Sequence, residues 1–184
     1  TPLIIINLQK QKELRSKADT ISPTTTPYQT LNQATAACGN VPTDIELIID
    51  TSTSMRDSNK INEAKDAAKK FVDVMAQDSR NRLGLVSFSD SATTNNNLTD
   101  NFTSIKNNID NLQAYGYTCI ECAVNKANQD IQANGRPGIK KAVILLTDGE
   151  ANYIDGSNNQ QPTSIAEQKA INAVNNGYNA NKTN

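Results

Sequence analysis

The sequence contains no histidine. That absence removes imidazole acid–base catalysis, serine–histidine–aspartate triads and nearly every zinc site. Nor is there an excess of charge of either sign. The 18 Lys and Arg stand against 19 Asp and Glu, a net charge of −1, which gives no electrostatic footprint for nucleic acid. Cysteine is scarce and odd in number, at Cys38, Cys119 and Cys122, so the thiols cannot all pair within one chain. A metal ion here is held either by hard oxygen ligands or by thiolates. A thiolate zinc site needs a third and a fourth ligand beside Cys119 and Cys122, and Cys38 is the only further cysteine, which disfavours zinc. No activated nucleophile or general base stands out, so the chain is not expected to be an enzyme.

What is present is enough for one domain with a real core and a tail: 184 residues, 36% hydrophobic and 20% charged. The opening apolar run, Pro2-Leu3-Ile4-Ile5-Ile6, is far shorter than the about 20 residues that span a bilayer. It leads into Lys10, Lys12, Glu13, Arg15 and Lys17. Residues 1–18 are read as a polar helix or, preferred, as the end of a single-pass membrane anchor that starts upstream. The cations after the run argue for a cytoplasmic location of the downstream residues, unless the upstream flank carries more. Residues 19–43, with Ser22-Pro23-Thr24-Thr25-Thr26-Pro27, read as an extended linker, because proline fixes the backbone and Thr/Ser tracts form no core.

The domain is placed at residues 44–184. Ile45-Glu46-Leu47-Ile48-Ile49 is a short buried strand ending at Asp50, in which Glu46 is expected to reach solvent near the strand's start. Ile61, Ala64, Ala68, Phe71, Val72 and Met75 recur at helical spacing, with Asp57 or Ser58 as cap. Leu83–Phe88 is a second strand, and residues 92–98 a polar one suited to a sheet edge. Phe102, Ile105, Ile109 and Leu112 mark one helix face; Ile120, Val124, Ala127 and Ile131 mark another, stopped by Asn134-Gly135. Ala142–Leu146 is a continuous apolar strand, expected to be buried on both faces. Ser164-Ile165-Ala166-Glu167 reads as a capping box opening a helix through about Asn175. Alternating strands and helices predict a doubly wound, mostly parallel α/β sheet flanked by helices. A closing strand is expected beyond the C-terminal helix.

Two strands end in aspartate, Asp50 and Asp148. Open α/β sheets bind ligands outside the carboxyl ends of their strands. Asp50-x-Ser52-x-Ser54 follows the first strand, and alternate residues of an extended loop point the same way. A carboxylate and two hydroxyls thus converge, and such hard oxygens suit magnesium.

Asp50-Thr51-Ser52-Thr53-Ser54-Met55 resembles the first segment of the metal-ion-dependent adhesion site of von Willebrand factor type A domains. Thr118-Cys119-Ile120-Glu121-Cys122-Ala123 is similar to the second segment, and Leu146-Thr147-Asp148-Gly149-Glu150 to the third. The resemblance covers residues 44 to about 178. Thr53 departs from it, standing where glycine is common. The resemblance implies that Ser52 and Ser54 coordinate Mg²⁺ (or Mn²⁺) directly. Thr118 would join directly or through water, and Asp50 and Asp148 would supply charge. An open position would accept an Asp or Glu carboxylate from a partner protein. It implies a role in adhesion or surface assembly. The linker, the anchor reading and a disulfide at Cys119 and Cys122 together point to an extracytoplasmic, membrane-anchored location, with a cytoplasmic one as the alternative. Glu150 is expected at the surface beside the site.

The Cys119-x-x-Cys122 pair is read as a local structural disulfide or two buried thiols, able to stiffen the loop after Thr118, ahead of a redox pair at a helix N-terminus. Two other functions stay open: a cytoplasmic subunit of an ATP-driven chelatase-like or chaperone complex, and a thiol–disulfide oxidoreductase. The upstream sequence separates the first, and a reduction assay with Cys122→Ser the second.

Overall fold

The computed structural model describes residues 4–7 and 41–182. The Thr/Pro-rich linker up to residue 40, Cys38 within it and the basic segment after residue 7 lie outside the described residues. The sheet contains β1 (Ile4–Asn7), β2 (Thr43–Asp50), β3 (Arg82–Phe88), β4 (Ala92–Thr99) and β5 (Lys140–Thr147) in the order β1-β5-β2-β3-β4. All pairings are parallel except β3 with the polar edge strand β4, which is antiparallel. The α/β fold expected from the sequence is the fold found. Ile4–Asn7, within the segment read as the end of an anchor or a helix, pairs as a short parallel strand with β5; the rest of that segment lies outside the described residues. No helix among the described residues is long and apolar enough to cross a membrane.

Among the described residues the sheet is joined by the α-helices α1 (Lys60–Met75), α2 (Phe102–Asp110), α3 (Ile120–Asn134) and α4 (Thr163–Lys182). Period-two alternation along β2 and β3 sends side chains to two cores. On one face Ile45, Leu47, Ile49, Leu83 and Leu85 meet Ala68 and Val72 of α1 and Ile105 and Ile109 of α2. On the other, Ile48, Val86 and Phe88 meet Ala123 and Ala127 of α3. β5 was expected to be sealed on both faces, yet only Leu145 and Thr147 in it are buried. The helices centre on β2 and β3, and β5 lies toward the sheet's margin.

Three other local expectations change. Helix α1 is not capped by Asp57 or Ser58. A 3-10 helix, Thr53–Asn59, precedes it, and Asn59 is the capping residue, making no side-chain cap bond. Helix α4 begins at Thr163, so Ser164 lies in its first turn rather than capping it, and it runs on to Lys182. Glu46 does not reach solvent: it is fully buried. Its carboxyl fills the space that Gly84 leaves on the neighbouring strand, where a Cβ would lie 2.0 Å from Glu46 Oε1.

Helix α4 lies against α3, and its buried residues are small: Ala166, Ala170, Ala173 and Gly177. A Cβ at Gly177 would lie 2.1 Å from Asn128 Nδ2, which donates to the Ala173 carbonyl at 3.2 Å. Glycine-to-alanine in a helix normally stabilises by about 0.5–1 kcal/mol. Here the overlap displaces Asn128, at a cost of about 1–3 kcal/mol. Gly177→Ala is therefore expected to destabilise the domain by about 1 kcal/mol in urea unfolding. Adding Asn128→Ala is expected to return the loss. A more stable single variant would show that α3 and α4 have room to spare.

Candidate metal centre

Strand register brings the predicted residues together. Ile49 of β2 pairs with Leu146 of β5, so Asp50 and Thr147 end their strands side by side and Asp148 follows at once. Asp50 is fully buried and Asp148 is 2% exposed. Asp50 Oδ1 accepts the Ser52 backbone N–H at 2.7 Å, and its Oδ2 accepts the Thr147 hydroxyl at 2.6 Å. The hydroxyls of Ser52 and Ser54 lie 3.0 Å apart, and Ser54 Oγ donates to Asp148 Oδ1 at 2.9 Å. Lys60 Nζ lies on the other oxygen of Asp148, at 2.5 Å. Ser54 and Thr118 flank the same point: a Cβ at Gly149 would be 3.8 Å from Ser54 Oγ and 3.8 Å from Thr118 Oγ1.

Backbone hydrogen bonds hold these loops. The Thr51 N–H and hydroxyl both donate to the Phe88 carbonyl. Thr53 N–H donates to the Gly116 carbonyl and Tyr115 N–H to the Thr51 carbonyl. Gly116 takes φ +74, and a Cβ there would lie 2.7 Å from Asp90 Oδ1, which accepts the Tyr117 N–H. Thr118 is clamped by Asn152: its N–H donates to Asn152 Oδ1 at 2.9 Å, and its carbonyl accepts the Asn152 N–H at 3.1 Å. Next to this clamp Tyr117 and Tyr153 stack at 5.4 Å between ring centroids. Glu150, as expected, is exposed at the rim.

Cys119 and Cys122 are joined by a disulfide at the start of α3, with Cys119 as capping residue. Cys119 is fully buried and Cys122 is 8% exposed. The bond closes a turn directly after Thr118.

The electrostatics follow from burial. Burial pushes the Asp50 carboxyl above its usual range, against the hydrogen bonds from Thr147 and Ser52 that pull it down, and the Asp148 charge adds to the rise. The hydrogen bond to Asp148 holds Lys60 above the usual lysine range. The donor set is all oxygen: two buried carboxylates and three hydroxyls. Two adjacent carboxylates removed from water repel each other unless a cation sits between them, and a hard divalent ion matches these donors. Among the described residues no group of three or more His, Cys, Asp or Glu is placed to share an ion. A site here depends on hydroxyl ligands instead. Sequence reasoning missed Lys60, Thr147, Asn152 and Asp90. Thr147 was legible as the polar end of an apolar strand. The other three carry no local signal, because each acts across loops far apart in the chain.

Residues 45–150, more than half the chain, match the sequence profile described as von Willebrand factor type A domain. No curated protein matches the chain. Among solved structures it is similar to the vWF domain of the type V pili tip protein Mfa5 from Porphyromonas gingivalis, with 23% identity and TM-score 0.56 over 59% of this chain and 38% of that one. It is similar to the PilB minor pilin from Streptococcus sanguinis, with 21% identity and TM-score 0.54 over 62% of this chain and 31% of that one. A von Willebrand factor type A protein from Catenulispora acidiphila gives 25% identity and TM-score 0.55 over 71% of this chain and 31% of that one. The chain thus spans well under half the length of each. With the strand order, the loop placement and the profile in agreement, the chain belongs to the von Willebrand factor type A domain family.

Proposed function

We propose that the domain is a binding module that captures a protein ligand through a divalent ion, Mg²⁺ or Mn²⁺, held by Asp50, Ser52, Ser54, Thr118 and Asp148. One observation carries the reading. The loops after two adjacent strands bring Ser52 Oγ, Ser54 Oγ and Asp148 Oδ1 into one hydrogen-bonded row, Asp50 accepts the Ser52 N–H beside it, and Ser54 Oγ and Thr118 Oγ1 both lie next to Gly149. When bound, the ion supplies a positive point that accepts an anionic oxygen. Only two carboxylates offset it, so positive character remains toward an incoming Asp or Glu side chain. Tyr115, Tyr117 and Glu150 are exposed on the loops that carry Thr118 and Asp148. The likeness to a pilus tip protein and a minor pilin supports adhesion or surface assembly outside the cytoplasm. The absence of histidine favours binding over catalysis.

The test is calorimetric titration of Mg²⁺ and Mn²⁺ into the chelator-treated chain, beside Asp148→Ala. Saturable binding in the wild type, lost in the variant, is expected. A wild type that is folded by circular dichroism yet takes up neither ion rules the reading out.

A further inference from the structure

Lys60 brings a positive charge to the site. It is the first residue of α1, where the helix dipole disfavours positive charge. The chain reaches it through two consecutive left-handed residues, Ser58 at φ 51 and Asn59 at φ 63, a conformation that side chains other than glycine adopt at a cost. At this position Lys60 Nζ lies 2.5 Å from Asp148 Oδ2. Asp148 is buried, while the Lys60 side chain is 32% exposed. Local rules broken together at one residue point to a role at the site.

Resting on the metal-site reading above, we propose that Lys60 is a built-in competitor for the divalent ion. Its ammonium neutralises Asp148 in the metal-free domain and must give way when the ion binds. The two oxygens of Asp148 are both engaged, one by the Ser54 hydroxyl and one by Lys60. An ion drawing on Asp148 meets a positive charge already bonded to it. Lys60 therefore has two opposed effects. It keeps the site assembled without metal, because Asp50 and Asp148 would otherwise face each other with no counter-charge. It also lowers affinity for the ion, setting the metal concentration at which the module becomes competent.

A residue that only supports the site would weaken metal binding when removed, so the sign of the change separates the two roles. The experiment compares wild type, Lys60→Met and Lys60→Arg as full chains, treated with chelator and titrated with Mg²⁺ by calorimetry. Metal-free thermal unfolding is measured in parallel. Lys60→Met is expected to bind Mg²⁺ about ten-fold more tightly and to melt about 5 °C lower without metal. Lys60→Arg, which keeps the charge, is expected to resemble wild type in both. Weakened or unchanged affinity in Lys60→Met, or an unchanged metal-free melting temperature, overturns the proposal while leaving the metal site intact. Should Lys60→Met not fold, Lys60→Gln is read by the same criteria. A folded wild type that binds no Mg²⁺ overturns the metal-site reading and this inference with it.

Discussion

Replacing Glu46 with glutamine is expected to stabilise the domain at neutral pH by about 3 kcal/mol and by almost nothing near pH 4.5. Glu46 is fully buried, and neither of its oxygens has a hydrogen-bond partner of normal geometry. Burial, with the Asp130 carboxyl of α3 and Asp44 of β2 nearby, pushes its carboxyl up to about 11. The charged groups around it are these two aspartates. Asp44 is paired with Arg136, and Asp130 accepts the Leu98 N–H and the Asn134 amide. In the unfolded chain the Glu46 carboxyl ionises at its ordinary value of 4.5. Between these two values the folded state holds a proton that the unfolded state has released. Stability is therefore undiminished below about 4.5 and falls as pH rises, by about 1.4 kcal/mol per unit. The loss at pH 7 depends only on the folded value lying above 7, not on how far above. Glutamine carries no charge at any pH and keeps the shape that Gly84 accommodates. Urea unfolding of both proteins at pH 4.5, 6 and 7.5, without divalent ions, should give stabilities that diverge steadily. Parallel curves would mean that Glu46 ionises in the folded state with its charge compensated.

The second large effect is expected at Arg136, just beyond the end of α3. Asp44 is fully buried, and Arg136 supplies all three of its hydrogen bonds. The backbone N–H lies 2.7 Å from Oδ2, Nε 2.9 Å from Oδ1, and an η-nitrogen 2.6 Å from Oδ1. Removing the guanidinium strands a carboxylate in the interior with one backbone donor. Breaking such a buried pair from one side costs about 3–5 kcal/mol. The Arg136 side chain is 26% exposed, so water can reach part of the gap, and Arg136→Met is expected to cost about 3 kcal/mol. Adding Asp44→Asn removes the stranded charge and should recover much of the loss, which a double-mutant cycle in urea would report as strong coupling. A single variant within about 0.5 kcal/mol of wild type would show that water replaces the guanidinium without penalty.

These two sites also show where sequence reasoning stopped. Glu46 interrupts an apolar run, and solvent access near the strand's start is the simple expectation for a charge there. The interior tolerates it because Gly84, distant in the chain, has no side chain where the carboxyl lies. Helix boundaries slipped for a related reason. Asp57 and Ser58 have capping chemistry, but the 3-10 helix and the left-handed pair Ser58 and Asn59 move the start of α1 to Lys60. The polar composition of residues 92–98, in contrast, placed β4 at the edge correctly, since a strand bonded on one side tolerates side chains that a central strand does not.

By itself the sequence determined the alternation of strands and helices, the aspartates at the strand ends and the spacing of Asp50, Ser52 and Ser54. All are local, because periodicity and loop position depend on near neighbours in the chain. It also marked the Cys119–Cys122 turn, whose two ends lie within one helical turn. Only the tertiary structure decided that Lys60 sits on Asp148, that Asn152 clamps Thr118, that Glu46 is sealed against Gly84 and that Ile4–Asn7 lies beside β5. Each joins segments that sequence separates widely. Such contacts are set by strand register and helix placement summed over the whole fold, and no window of sequence encodes that sum.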